Sequence, residues 1–133
     1  MSRLKGKVAV VTGASKGIGA SIAKSLATEC ASVVVKYASS KPGADAVFEE
    51  IVAAGGKAVA VGGDVSKAGE AKGIIDAAIK NYGRLDVLVN NSGVYEFARL
   101  GQITEEQFHR MVNINVLGTV LTTVHLLNEK GAA

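Results

Sequence analysis

Several residue types are nearly missing from this chain of 133 residues, and each scarcity excludes a class of protein. The single cysteine, Cys30, excludes an internal disulfide, and we expect a buried structural thiol rather than a nucleophile. One proline, Pro42, excludes a proline-rich linker. No uninterrupted apolar run reaches the roughly 18 residues of a membrane-spanning helix. The first residues also lack the apolar core of a signal peptide. A cytoplasmic protein without a membrane partner is therefore expected.

Clustered charge and metal-ligating residues are also sparse. The formal net charge is +3, and the basic residues are dispersed rather than gathered into a stripe, which argues against nucleic-acid binding. His109 and His125 stand apart from any cysteine or acidic cluster at metal-ligand spacing, so no metal site is expected. The remaining composition, 48% hydrophobic with 16 glycines, predicts a single globular domain over residues 1–133.

What the sequence does contain is a regular alternation of strand and helix patterns. Strands are predicted at Lys7–Thr12, Ser32–Tyr37, Lys57–Gly62 and Leu85–Asn90. Helices are predicted at Gly17–Glu29, Ala44–Ala54 and Ala71–Tyr82, and a last one begins after Thr104, with Gln107 completing a capping box. This order predicts an α/β fold, a Rossmann-like doubly wound parallel sheet of four strands in the order 3-2-1-4 with helices on both faces.

The junction between the first strand and the first helix carries the strongest functional signal. It follows the apolar run VAVV and reads TGASKGIG over residues 12–19. A glycine-rich turn into a helix exposes backbone N–H groups and the positive end of the helix dipole, which together bind phosphate. A Cβ atom would block the tight turn and the approach of a pyrophosphate. Taken alone, the turn could also be a loop without a ligand. No Gly-Lys-Ser/Thr follows, which excludes a P-loop.

Three later segments add to the functional signal of the glycine turn, both by their residues and by their order along the chain. Asp64-Val65 closes the third strand, Asn90-Asn91-Ser92-Gly93 follows the fourth, and Asn115-Val116-Leu117-Gly118 lies in the last helix. With the glycine turn, they resemble the short-chain dehydrogenase/reductase family over essentially the whole chain. Within that family the chain is most similar to NADPH-dependent 3-oxoacyl-thioester reductases and related sugar or alcohol dehydrogenases.

The resemblance implies a set of site residues. It assigns cofactor contacts to Gly13, Ser15, Lys16, Gly17, Ile18, Gly19, Asp64, Val65, Asn91, Ser92 and Gly93. Asp64 would face the adenine, and Ser92 stands where the family usually has alanine. Asn115 is the catalytic residue implied, because the family's asparagine at that position helps to hold a catalytic water. An unpaired amide among apolar residues is costly, so we expect Asn115 to be a buried, partnered group.

The end of the second strand predicts the choice of cofactor. An NAD-selective site has an acidic residue there, which would repel the 2′-phosphate of NADP. This chain has no acid between Lys36 and Asp45. NADP(H) is therefore predicted, with contacts from Lys16 and from Lys36, Tyr37, Ser39 and Ser40. The alternative is that these lysines are ordinary surface residues. The same lack of an acid disfavours an S-adenosylmethionine methyltransferase.

The family's catalytic Ser, Tyr and Lys have no counterpart here. One Tyr-x-x-x-Lys spacing, Tyr37 to Lys41, follows the wrong strand, and Pro42 disfavours helical geometry at Lys41. We therefore expect the amino-terminal half of an oxidoreductase for small carbonyl or alcohol substrates, truncated before a fifth strand and inactive alone. Its open sheet edge predicts a homo-oligomer, a domain-swapped form or marginal stability. The alternative is a catalytically inactive dinucleotide-binding or protein-interaction module.

Overall fold

A computed structural model describes residues 2–94 and 98–129 and contains one parallel sheet. Its strands are β1 (Val8–Val11), β2 (Ser32–Tyr37), β3 (Lys57–Gly62) and β4 (Val87–Val89). All pairings are parallel and the strand order is β3-β2-β1-β4, which confirms the predicted topology. The α-helices are α1 (Gly17–Thr28), α2 (Lys41–Ala53), α3 (Ala68–Tyr82), α4 (Glu105–Val112) and α5 (Gly118–Glu129). A short 3₁₀ turn, Leu100–Gln102, precedes α4.

The two central strands are buried on both faces, which is why they read as valine runs rather than as alternating patterns. On one face, Val33 and Val35 of β2 pack with the alanines of α1 and with α2. On the other face, Val34 packs with Ile74 and Ile75 of α3. The carboxyl ends of all four strands therefore meet at one edge of the sheet, and the glycine turn lies at that edge.

Helix α2 begins earlier than the sequence indicates. Lys41 is its first residue and Pro42 lies within its first turn, so the prediction that Pro42 disfavours helical geometry at Lys41 was wrong. The physical reason is that the first N–H groups of a helix have no partner inside it, so a proline there removes no hydrogen bond. Helix α3 likewise begins at Ala68 rather than at Ala71.

The last helical region begins with the predicted capping box. The backbone N–H of Gln107 donates to Thr104 Oγ1 over 3.1 Å, and the N–H of Thr104 donates to Gln107 Oε1 over 3.0 Å. The region is not one regular helix, however, because a π-helical segment, Asn113–Leu117, joins α4 to α5. The N–H of Gly118 donates to the carbonyl of Asn113, five residues earlier.

One face of this region is apolar and exposed. Its side chains, here called the apolar ridge, are Phe108, Val112, Val116, Val120, Val124 and Leu127. Within the described ranges, Glu105–Glu129 is the one helical stretch with the length and composition of a membrane span, with a mean hydropathy of 1.2 in its most apolar window. The opposite face of α5 packs against α3, and its residues Gly118 and Thr122 are buried, with Gly118 lying against Val65.

The structure corrects the expectation for Cys30. The residue is exposed rather than buried, and its φ of 72° places it in the left-handed region. It follows the end of α1, where its N–H donates to the carbonyl of Ala27 over 2.9 Å. A left-handed residue directly after a helix turns the chain at the surface, and this position outweighs the usual tendency of cysteine to be buried.

Candidate cofactor-binding site

The glycine turn is closely packed on its inner side and open on its outer side. A Cβ atom at Gly13 would lie 2.5 Å from the backbone oxygen of Asn91, and one at Gly19 would collide with the carbonyl of Gly13. Gly17 has a φ of 59°, and a Cβ there would meet nothing within 4 Å. The inner glycines thus allow two backbone segments to touch, whereas Gly17 faces space that a ligand can occupy.

The amino end of α1 suits an anion. Lys16 is the N-cap in an extended conformation, its side chain caps no backbone N–H, and the first turn holds no acidic residue. Ile18, beside this end, is 74% exposed. The first N–H groups of a helix need acceptors from outside the helix, and the helix dipole adds positive potential at the same place. This arrangement can bind a phosphate group.

The Thr12 hydroxyl joins the end of β1 to the segment after β4. Thr12 is 1% exposed, and its Oγ1 accepts the backbone N–H of Asn91 over 2.8 Å and that of Ser92 over 2.9 Å. The same hydroxyl donates to the carbonyl of Val89 over 3.3 Å. The Asn91 amide completes the connection by donating to the Gly13 carbonyl over 3.2 Å. Thr12 was not among the predicted site residues; its signal was a hydroxyl at the end of a buried apolar strand.

The amino end of α2 lies against the glycine turn. A Cβ atom at Gly43 would be 2.6 Å from the carbonyl oxygen of Ser15 and 2.8 Å from Ser40 Oγ. This close approach places Ser40 beside the turn that also carries Lys16. Ser39 and Lys16 are exposed, and Ser40 is half-buried. The structure thus brings Ser40 to the turn that carries Ser15 and Lys16, at the carboxyl edge of the sheet.

Tyr37 and Lys41 do not form a catalytic pair. Tyr37 ends β2, and Lys41 is the first residue of α2, so the two do not share a helical face. The ring of Tyr37 lies against Gly62, where a Cβ atom would be 3.1 Å from the phenolic oxygen. The Lys41 ammonium contacts Asp45 over 2.7 Å, and this hydrogen bond raises the pKa of Lys41. Both observations agree with the prediction that this spacing is a coincidence.

Lys36 is not at the surface, where the sequence prediction placed it. Its side chain is 1% exposed. Residues of a strand alternate between faces, so Lys36 shares the face of Val34, toward α3, rather than the face of α1 and α2. Burial lowers the pKa of Lys36, while the charges of Asp64 and Glu70 act to raise it. This placement on the α3 face does not agree with the predicted contact between Lys36 and a 2′-phosphate at the glycine turn.

Asp64 begins the loop between β3 and α3. Its Oδ1 accepts the Ser66 backbone N–H over 2.9 Å and the Ser66 hydroxyl over 2.6 Å, and these bonds hold the pKa of Asp64 below its usual value. The Asp64 N–H donates to Glu70 Oε1 over 3.1 Å. The side chain of Val65 is buried in the core against Gly118, so only its backbone can contact a ligand.

Asn115 is partnered, as expected, but it is exposed rather than buried. Its Oδ1 accepts the backbone N–H of Val94 and its Nδ2 donates to the carbonyl of Val94, both over 2.8 Å. A Cβ atom at Gly93 would be 3.2 Å from Asn115 Oδ1. The paired amide therefore satisfies its polar groups without burial, and it fixes the segment after β4 to the π-helical segment.

Metal ligands are not gathered anywhere in the part of the chain that the structure describes. Residues 2–94 and 98–129 contain no group of three or more His, Cys, Asp or Glu that could hold a metal ion. The groups that the site does present are backbone N–H donors, hydroxyls, an exposed lysine and one carboxylate. These groups suit an organic anion.

A parallel sheet in the order 3-2-1-4, with an open glycine turn after its first strand, defines a Rossmann-like α/β domain. The family model for short chain dehydrogenases matches residues 7–132, and the chain belongs to that family. An uncharacterized oxidoreductase of Methylorubrum extorquens is 66% identical over 123 residues, which cover 92% of this chain and 50% of that protein. Elsinochrome reductase 1 of Elsinoe fawcettii is 49% identical, with coverages of 88% and 44%.

Solved structures agree with this assignment. A short chain dehydrogenase of Burkholderia cenocepacia, solved in complex with NADP, is 36% identical and superimposes with a TM-score of 0.91. The match covers 95% of this chain and 51% of that one. The chain thus spans about half the length of the curated relatives it matches.

Proposed function

We propose that this chain is the cofactor-binding half of an NADP(H)-dependent oxidoreductase that acts on small carbonyl or alcohol substrates. The observation that carries the proposal is the set of groups found at the amino ends of α1 and α2, beside the carboxyl edge of the sheet. An uncapped helix terminus, exposed Lys16 and the hydroxyls of Ser39 and Ser40 lie there, and neither helix has an acidic residue in its first turn. When bound, NADP(H) would supply a hydride to a carbonyl substrate in its reduced form or accept one from an alcohol in its oxidised form.

Different residues of the chain would bind different parts of the cofactor. The backbone from Ser15 to Gly19 would hold the pyrophosphate, because the open space beside Gly17 leads to the amino end of α1. Lys16, Ser39 and Ser40 would hold the 2′-phosphate. Both bonds from Ser66 end on Oδ1 of Asp64, so we assign Oδ2 to the adenine amino group.

The segment after β4 would form the nicotinamide end. Asn91 and Ser92 are fixed there by Thr12, and Gly93 by its neighbour Val94, which pairs with Asn115. The amide of Asn115 thereby acts as a positioning group for this segment. The family relationship supports a nicotinamide dinucleotide as the cofactor, and the Burkholderia cenocepacia relative solved with NADP supports NADP in particular.

Titration of the chain with NADPH and NADH tests the proposal. The sequence has no tryptophan, so nicotinamide fluorescence can be followed without an indole background. We expect NADPH to bind at least about tenfold more tightly than NADH, the size of a charge-assisted phosphate contact. Equal affinities would overturn the NADP(H) assignment, and no binding of either dinucleotide would overturn the proposed function.

Two matched pairs of variants locate the 2′-phosphate. Ser39→Asp should weaken NADPH binding about tenfold and leave NADH binding unchanged, because a carboxylate repels the phosphate. Ser39→Ala is the control for loss of the hydroxyl. Lys16→Ala should weaken NADPH binding similarly, whereas Lys57→Ala, at the amino end of β3 on the opposite edge, should not. An equal loss in both lysine variants would contradict the assignment of Lys16.

A further inference from the structure

We propose that Thr122 is a positioning residue for the nicotinamide end of the cofactor. Its hydroxyl binds the side chain of Asn90 and thereby holds α5 at a fixed place along residues 90–94, the segment that follows β4. The identity of the ligand at this segment rests on the proposed function. The attachment of the helix to the segment concerns the chain before any ligand binds.

The Thr122 hydroxyl bonds outside its own helix. Thr122 lies in α5 and is 0% exposed. Its Oγ1 is 2.6 Å from Asn90 Oδ1, 3.0 Å from the carbonyl oxygen of Gly118 and 3.2 Å from that of Thr119. A hydroxyl has one hydrogen to donate, and the shortest of these contacts is the one to Asn90. A threonine within a helix can donate to the carbonyl four residues earlier, whereas this one donates to a different element.

Asn90 binds α5 through both polar atoms of its amide. It is the first residue after β4. Its Oδ1 accepts from Thr122, and its Nδ2 donates to Thr123 Oγ1 over 3.2 Å. The Thr123 hydroxyl donates in turn to the carbonyl of Thr119 over 2.7 Å, so its oxygen can accept from Asn90. Each amide atom thus has the partner that its chemistry requires, which fixes the orientation of the Asn90 side chain.

The same helical region binds the far end of the segment. Asn115, in the π-helical segment, bonds to both backbone groups of Val94 over 2.8 Å. Asn115 and Thr122 are about two helical turns apart, so they lie on nearly the same face. Asn90 pairs with the later helical residue and Val94 with the earlier one, so the segment and the helix run in opposite directions. The contact at Thr122 therefore determines where along the segment the Asn115 amide meets Val94.

The substitution Thr122→Val separates this role from packing. Valine has nearly the same shape, so the change removes the hydroxyl and keeps the buried contacts of the side chain. Asn90 is exposed, so water can bind its Oδ1 once the hydroxyl is gone, and the fold should tolerate the change. If Thr122 acts only through packing, the variant should bind every ligand as before. If it acts through Asn90, ligands that reach the segment should bind less well.

The experiment titrates the full chain and its variants with NADPH and with 2′-phospho-ADP-ribose, which is NADPH without the nicotinamide. We expect Thr122→Val to weaken NADPH binding about fivefold, as for coupled neighbours, and to leave 2′-phospho-ADP-ribose binding unchanged. Thr122→Ser keeps the hydroxyl and should bind NADPH like the unmodified chain. Thr28→Val is the matched control, because the Thr28 hydroxyl donates to the Lys24 carbonyl within α1 over 3.0 Å.

A second measurement needs no ligand. In hydrogen exchange followed by NMR, the backbone amide of Val94 should exchange faster in Thr122→Val than in the unmodified chain. The reason is that its acceptor, Asn115 Oδ1, is no longer held in place by the anchored helix. The amides of β2 are the internal control for folding. Unchanged Val94 exchange would overturn the inference.

The variant Asn90→Ala tests whether the effect passes through this side chain. It should show the same selective loss of NADPH binding as Thr122→Val. The double variant should bind NADPH no more weakly than either single variant, because both changes break the same contact. Losses that multiply to about 25-fold would show independent effects and overturn the inference.

The two ligands also distinguish failure of this inference from failure of the proposed function. Equal weakening of both ligands in Thr122→Val, or no weakening of either, would overturn the positioning role. If the unmodified chain binds neither ligand, the proposed function fails, while the exchange rate of Val94 still decides the role of Thr122. If Thr122→Val does not fold, Asn90→Ala decides the question with the same two ligands.

Discussion

Replacing Thr12 with valine should damage both the stability of the fold and the cofactor site. Valine has nearly the same shape, so the change removes the hydroxyl while keeping the packing of a residue that is 1% exposed. Two backbone N–H groups, of Asn91 and Ser92, lose their acceptor, and Val89 loses a donor. An unpaired donor costs about 1–3 kcal/mol. The N–H groups belong to half-buried residues that water can partly reach, so we expect a total of about 3 kcal/mol.

The assay is urea unfolding followed by circular dichroism, with Thr12→Ser as the control. Serine keeps the hydroxyl and loses one buried methyl group, which should cost about 1 kcal/mol. With a slope of about 2 kcal/mol per molar urea, Thr12→Val should shift the midpoint by about 1.5 M. The serine variant should retain NADPH binding and the valine variant should lose it. A valine variant as stable as the serine variant would refute the role assigned to the hydroxyl.

Four further outcomes are expected. Gly19→Ala should destabilise the fold by about 3 kcal/mol through its collision with the Gly13 carbonyl. Gly17→Ala should cost only about 1 kcal/mol for its φ yet abolish dinucleotide binding, and Gly69→Ala, on open α3 surface, is the neutral control. The pKa of Asp64 is lowered in the folded chain, so its contribution to stability is full above its unfolded value of 3.8 and is lost as the pH falls through the folded value. Urea unfolding between about pH 5 and pH 2 should therefore show a smaller acid loss for Asp64→Asn. The apolar ridge and the edge strand β4 should cause self-association, and a monodisperse monomer in light scattering at micromolar concentration would contradict this.

Much of the fold could be predicted because its signals are local. A run of valines bounded by glycine or polar residues indicates a buried strand without reference to the rest of the chain. The capping box at Thr104 is also local, since both of its hydrogen bonds lie within four residues. Strand order followed from the alternation of elements and the handedness of their connections. The glycine turn was predictable for the same reason.

The structure differs from the sequence predictions at residues whose position is determined by tertiary contacts rather than by the local sequence. A strand buried on both faces gives no polar alternation, so the sequence does not reveal which way Lys36 points. Cys30 is exposed because the chain needs a left-handed residue after α1, and that requirement is geometric rather than compositional. The pairing of Asn115 with Val94 joins the π-helical segment to a partner 21 residues away. Periodicity within the helix contains no sign of that partner.

The hydroxyl of Thr12 also determines when in folding the cofactor site can exist. It joins residues separated by 77 to 80 positions, so the site is complete only after β4 has docked beside β1. Contacts between distant positions form late because the intervening loop must first be closed. A ligand that binds only the completed site stabilises the folded chain by mass action. Binding of the cofactor would therefore indicate that β4 has docked beside β1.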